Sequence, residues 1–152
     1  MHAWDYTTAV TEVMRALDNL VGAGKVHAVA LSDAPAWIAA QANTLAAWHG
    51  WSPLVALQVE YSLLERTAER ELLPVAEAFG LSVCAWAPLG AGILIGKYTA
   101  GTSMLPEDSR RAAANQARLT ERNLAIAREV DRVADALGPR IELPSAAPIR
   151  WR

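Results

Sequence analysis

The chain of 152 residues is 53% hydrophobic and 20% charged, with a formal charge of -2, a balance far from disorder and long enough for one domain that hides roughly 70% of its unfolded surface. Its 12 arginines and 2 lysines form no run or stripe, which argues against nucleic acid and anionic membranes as partners. No apolar stretch reaches the roughly 18 to 20 residues of a bilayer span and no signal-peptide pattern opens the chain, so a cytoplasmic protein is expected. One cysteine, Cys84, and three scattered histidines leave neither a disulfide nor metal-ligand spacing.

From Val10, the apolar positions Val13, Met14, Leu17, Leu20 and Val21 follow a helical step. Thr7 or Thr8 opens this helix, and Gly22 and Gly24 close it. Val26 to Leu31 is a short apolar run that suits a strand covered on both faces of a parallel sheet. Pro35 then suits a first helical turn, so Ala36 to about Trp48 reads as a second helix stopped by Gly50. Leu54 to Tyr61 alternates as a strand, with Gln58 on the face opposite Val55, Leu57 and Val59.

Thr67, Glu69 and Glu71 open a third helix striped by Leu72, Val75, Ala76 and Phe79, although Pro74 falls inside it. Leu81 to Ala87 is a third strand, and strand starts recur about every 28 residues, the period of repeated βα units. Gly90, Gly92 and Gly96 follow, then a polar segment from Thr99 to Gln116 that reads as a long loop, with room for a short helix. A last helix starts near Thr120, shows Ile126, Val130, Val133, Ala134 and Leu137 on one face and stops at Gly138-Pro139. Residues 139–152 match neither helix nor strand and read as an unstructured tail.

Taken singly, the chemistry-bearing residues say little. A histidine near a terminus, His2, is usually solvated, and six tryptophans usually pack. LGAGILIGK superficially resembles a dinucleotide-binding glycine motif, but its third glycine arrives one residue late and no acidic residue follows about 20 positions on.

Taken together, RALDNLVGAGKVHAVALSDAPAW, LQVEYSLLERTAERELLPVAEAFGLSV and AWAPLGAGILIGKY resemble, in order and spacing, the aldo-keto reductases, in the branch of bacterial and potassium-channel β-subunit-like members. The resemblance implies an α/β fold: a partial (β/α)8 TIM barrel, roughly strands 4 (a stub) to 7 with their helices, over residues 1–138. It implies NADP as cofactor and a small aldehyde or ketone as substrate. His2 in MHAWD matches the histidine that hydrogen-bonds the substrate carbonyl. Ser32, Asp33 and Gln58 match contacts to the nicotinamide carboxamide, with Asp33 standing where asparagine is usual, and Trp86 matches the aromatic residue stacked on the nicotinamide. Ala87, Pro88, Leu89, Gly90 and Ala91 match the loop around the pyrophosphate, with Lys97 and Arg110 adding charge.

The same resemblance implies that the family's catalytic aspartate, tyrosine and lysine would lie before Met1, that the eighth strand is lacking, and that the chain is a slow or inactive fragment. A partial barrel is expected to leave open sheet edges and uncovered apolar faces, and so to self-associate or take a companion chain. Two other classes stand beside the reductase: a non-catalytic half-barrel that binds or assembles with another chain, and a relic reading frame.

Overall fold

The structure, a computed structural model, describes residues 1–96, 98–99 and 115–137. The predicted tail at 139–152, the Gly138-Pro139 stop, Lys97, Arg110 and most of the predicted polar loop lie outside the described residues. The chain forms two compact units, one built from Met1–Glu60 and Thr67–Trp86, the other from Tyr61–Arg66 and Ala87–Ala147.

The first unit repeats a helix and a parallel strand. Its helices are α1 (Val10–Gly22), α2 (Ala36–His49) and α3 (Leu72–Ala78), and its strands are β1 (Val29–Ser32), β2 (Leu54–Glu60) and β3 (Ser82–Trp86). The strands pair in parallel in the order β1-β2-β3. Residues 1–4 add a stub beside β1. The Met1 amino group donates to Ala30 O at 2.9 Å, Ser32 N to Met1 O and Ala3 N to Ser32 O, both at 3.0 Å, and His2 bridges Ser32 in parallel. The predicted parallel βα array with a leading strand stub is therefore present.

Where the elements differ from expectation, local chemistry explains it. The first strand was expected over 26–31 but runs Val29–Ser32. Its neighbour β2 starts directly after Pro53, which has no N–H for the ladder, so residues 26–28 meet no partner there. No threonine side chain caps α1. Ala9 is its N-cap, because both Thr7 and Thr8 are turned toward Asp5: their N–H groups reach Asp5 Oδ1 at 2.8 and 2.9 Å, and Thr8 Oγ1 donates to Asp5 Oδ2 at 2.6 Å. The third helix is split into a 3-10 turn, Thr67–Glu69, and α3 from Leu72. Starting there puts Pro74 in the first turn, where no helical N–H is lost. Helix α2 ends as expected, with Gly50 in the left-handed conformation at φ 67.

The helices cover one face of the sheet only. Leu31, Leu57, Val59 and Val83 are buried on it, together with Met14 of α1 and Ile38, Ala39, Ala42 and Ala46 of α2, and α2 and α3 pack on β2 and β3. Full burial of Met14, Ile38 and Leu54 contributes about 1.5–3 kcal/mol each. The register aligns Ala30 with Ala56 and Ser82, Ser32 with Gln58 and Cys84, and Glu60 with Trp86. Aligned residues of parallel neighbours share a face, so these eight form the second face, which nothing in this unit covers. This face is built mostly of small and polar side chains, with Trp86 its one large apolar member, while Val55 of β2 is exposed elsewhere on the sheet.

The second unit centres on 3-10 turns over Gly90–Ile95, a helical turn over 115–118 and the helix α4 (Glu121–Leu137). The start of α4 agrees with expectation, since Thr120 Oγ1 accepts the Asn123 N–H at 3.2 Å. Its core is Ile93, Leu94 and Ala127, with Leu64, Tyr98, Leu119, Ile126 and Val130 against it. Val133 and Leu137, expected on the same stripe, are exposed. Buried Asn115 donates to Ala91 O at 3.3 Å and to Tyr98 Oη at 2.9 Å.

Candidate functional site

The carboxyl ends of parallel strands are where α/β folds place their ligands, and in the first unit five of the predicted residues meet there. His2 ends the stub, Ser32 ends β1 and Asp33 follows it, Gln58 is near the end of β2, and Trp86 ends β3. His2 Nδ1 lies 3.2 Å from Ser32 Oγ and 3.6 Å from Asp33 Oδ2. Trp86 Nε1 donates to Asp33 Oδ1 at 3.2 Å. One carboxylate thus faces the imidazole with one oxygen and the indole with the other.

Ser32 and Gln58 are side by side in register on the uncovered face, with Cys84 the next in the row. The Ser32 side chain is nearly buried, whereas Gln58 and Cys84 are exposed. Among the described residues the Gln58 amide has no intramolecular hydrogen bond, so its donor and acceptor are both available. An adjacent hydroxyl and free amide suit a planar carboxamide, which offers one acceptor and two donors. The residues present therefore fit a nicotinamide.

The backbone at these strand ends is unusual. Ala3, Asp33 and Ala87, the residues directly after His2, Ser32 and Trp86, all have positive φ, at 59, 50 and 52. Non-glycine residues in this conformation cost about 1–2 kcal/mol each and gather where function fixes the chain. Three strand exits with the same deviation, those of the stub, β1 and β3, mark this end of the sheet as shaped for something other than stability.

The predicted pyrophosphate loop, Ala87 to Ala91, belongs to the second unit. Leu89 at φ -95, ψ 17 is followed by Gly90 at φ 57 and Ala91 at φ 55. A right-handed residue followed by a left-handed one turns successive N–H groups into a concave anion nest. The Gly90 N–H is engaged by Ala87 O at 2.8 Å, and among the described residues the Leu89 N–H has no partner. A Cβ at Gly90 would meet the end of the Leu64 side chain, Cδ1 at 2.5 Å, which would have to shift to admit it, and the positive φ favours glycine here. Lys97 and Arg110 lie outside the described residues.

Sequence reasoning gave one residue a different part and passed over another. Asp33 was read as a cofactor contact, while the structure engages it with His2 and Trp86; only its substitution for the usual asparagine hinted at a different part. Asn115 lies in a stretch read as loop, and no pattern singles it out. Among the described residues there is no cluster of histidine, cysteine and acidic side chains that could hold a metal, and no helix is long and apolar enough to cross a membrane.

Comparison with known proteins identifies the family. The family model described as the Aldo/keto reductase family matches residues 1–145. A norsolorinic acid reductase of Emericella nidulans is 42% identical over 92 residues, 60% of this chain and 24% of that protein. A probable aryl-alcohol dehydrogenase of Saccharomyces cerevisiae is 31% identical over 138 residues, 91% of this chain and 42% of that protein. Norsolorinic acid reductase B of Aspergillus parasiticus is 33% identical over 138 residues, 91% of this chain and 36% of that protein. The chain spans less than half the length of these curated relatives.

Proposed function

The chain belongs to the aldo/keto reductase family, and we propose that it carries the nicotinamide and substrate-carbonyl side of an NADP(H)-dependent oxidoreductase site acting on small aldehydes or ketones. The observation that carries this reading is the convergence of His2, Ser32, Gln58 and Trp86 on one end of one parallel sheet, with Ser32 and Gln58 in adjacent register and His2 hydrogen-bonded to Ser32. The names of the relatives, aryl-alcohol dehydrogenases and norsolorinic acid reductases, favour an aromatic alcohol or carbonyl compound as substrate.

In this reading Ser32 and Gln58 hold the carboxamide, and the Trp86 ring flanks the nicotinamide. The nest at Leu89 to Ala91 receives the pyrophosphate, with Lys97 and Arg110 adding positive charge. When bound, the nicotinamide supplies or accepts hydride. His2, with its side chain 72% exposed, holds Nδ1 against the protein and offers Nε2 to the substrate oxygen. The proton donor that commonly contributes about 10² to 10⁴ in rate is assigned to none of Tyr6, Tyr61 or Tyr98, since each matches another position of the family. The domain is taken as residues 1–138 with a separate 139–152 tail, the location as cytoplasmic, and the open edge of β3 as a surface for self-association or a companion chain.

Titration of the purified chain with NADPH, followed by tryptophan fluorescence, tests the cofactor side. Quenching is expected, with Gln58→Leu weakening binding about tenfold, the effect of about 1.4 kcal/mol lost with one carboxamide contact. An unchanged signal at millimolar NADPH would remove the basis for the assignment of Ser32, Gln58 and Trp86.

A further inference from the structure

Given the cofactor reading above, on which this rests, we infer that Asp33 is a specificity-determining residue for the oxidation state of the cofactor. Its carboxylate favours the cationic, oxidised nicotinamide over the neutral, reduced one.

The two forms of the cofactor differ at the nicotinamide alone. Oxidised, the ring is a pyridinium with one full positive charge; reduced, it is a neutral dihydropyridine. Hydrogen bonds from Ser32 and Gln58 do not separate them, because both forms carry the same carboxamide. A fixed charge beside the ring does, and Asp33 supplies one. It follows Ser32 directly in the chain, and its Oδ1 accepts the Trp86 Nε1–H at 3.2 Å. The carboxylate therefore links the hydroxyl read as a carboxamide contact to the edge of the indole read as flanking the nicotinamide.

That charge is held in place and left uncompensated. The chain keeps Asp33 at φ 50, a left-handed conformation that aspartate and asparagine tolerate better than most residues, and the indole N–H anchors the side chain. Among the described residues no arginine or lysine pairs with it. Its one ionisable neighbour is His2, whose Nδ1 stands 3.6 Å away, beyond hydrogen-bond reach. With its side chain 40% exposed, the carboxylate acts as a partly screened charge. An asparagine in its place would accept from the indole equally well through its amide oxygen and carry no charge, so the charge and the hydrogen bond are separable by substitution.

The test is isothermal titration calorimetry of the full chain with NADP+ and with NADPH at about pH 8.5, above the ordinary imidazole range. The quantity read is the ratio of the Kd for NADPH to the Kd for NADP+. Asp33→Asn is expected to lower it about fivefold, the size of a favourable charge pair at a partly exposed site, mostly through weaker NADP+ binding. Glu77→Gln, which removes an exposed charge from α3, should leave it unchanged. A second measurement needs no variant: raising the salt from about 0.01 M to about 1 M shortens the screening length about tenfold and should lower the wild-type ratio severalfold. Equal ratios in wild type and Asp33→Asn overturn the inference, as does a wild-type ratio indifferent to salt should that variant fail to fold. Binding of both forms with an unmoved ratio sinks the role of Asp33 and leaves the cofactor assignment standing, whereas no binding of either form at millimolar concentration sinks both.

Discussion

The two ends of the strands in the first unit are built on different rules. At the entry to β2, buried and half-buried side chains pair with the backbone. Asn43, buried in α2, accepts the Leu54 N–H at 2.8 Å and donates to the Leu54 carbonyl at 3.3 Å. Asp18 takes both the N–H and the hydroxyl of Ser52, at 2.9 and 3.0 Å. The Trp51 ring stacks on His49 at 4.3 Å, with the Arg15 guanidinium 5.6 Å from its centre. At the exits, the backbone is left-handed at Ala3 and Asp33, and His2, Asp33 and Gln58 are exposed. The entry holds the fold together, and the exit spends stability on geometry. That division is the one barrel enzymes make between their two rims.

The sharpest way to break the comparison is to damage the entry. Asn43→Ala strands both the N–H and the carbonyl of Leu54 in a buried place, and a loss of about 2–4 kcal/mol is expected in urea unfolding. Asp18→Ala removes two bonds at a half-buried site, so a smaller loss of about 1 kcal/mol should appear in the same measurement.

At an exit the sign reverses. Ala87→Gly relieves a left-handed residue, at about 1–2 kcal/mol, against a glycine entropy cost of about 0.5–1 kcal/mol. A net gain of about 0.5 kcal/mol in unfolding free energy is expected, and a loss as large as that of Asp18→Ala would erase the contrast between the two rims.

The smallest effect concerns pH. The Asp5 carboxylate is held down to about 2 by hydrogen bonds from the Thr8 side chain, the Thr8 N–H and the Thr7 N–H. Because its folded value lies below the ordinary carboxylate range, its contribution to stability is complete above about pH 4. It is lost as the pH falls through about 2. Carboxyl NMR should find its midpoint there, and Thr8→Ala should raise it toward the ordinary value.

Much of the fold was legible because its signals are local. Pro35 and Gly50 bracket α2, Thr120 caps α4, and the recurrence of apolar runs announced the βα array. The shortened β1 was hidden because its limit is set by Pro53 on another strand. The site was legible only in outline. Resemblance identified His2, Ser32, Gln58 and Trp86, but nothing local announces that Ala3 and Ala87 are left-handed, since alanine carries no signal for that conformation as glycine or asparagine does. The double engagement of Asp33 depends on two rings 31 positions before it and 53 after it in the chain, a relation no window along the sequence contains.

Cys84 sits beside Gln58 at the β3 end of the open row, exposed, and it is the single thiol in the chain. A maleimide dye or a spin label added to the unaltered protein would therefore attach at one place, next to Gln58. The chain thus carries its own attachment point from which occupancy of the Ser32–Gln58 row can be watched, molecule by molecule.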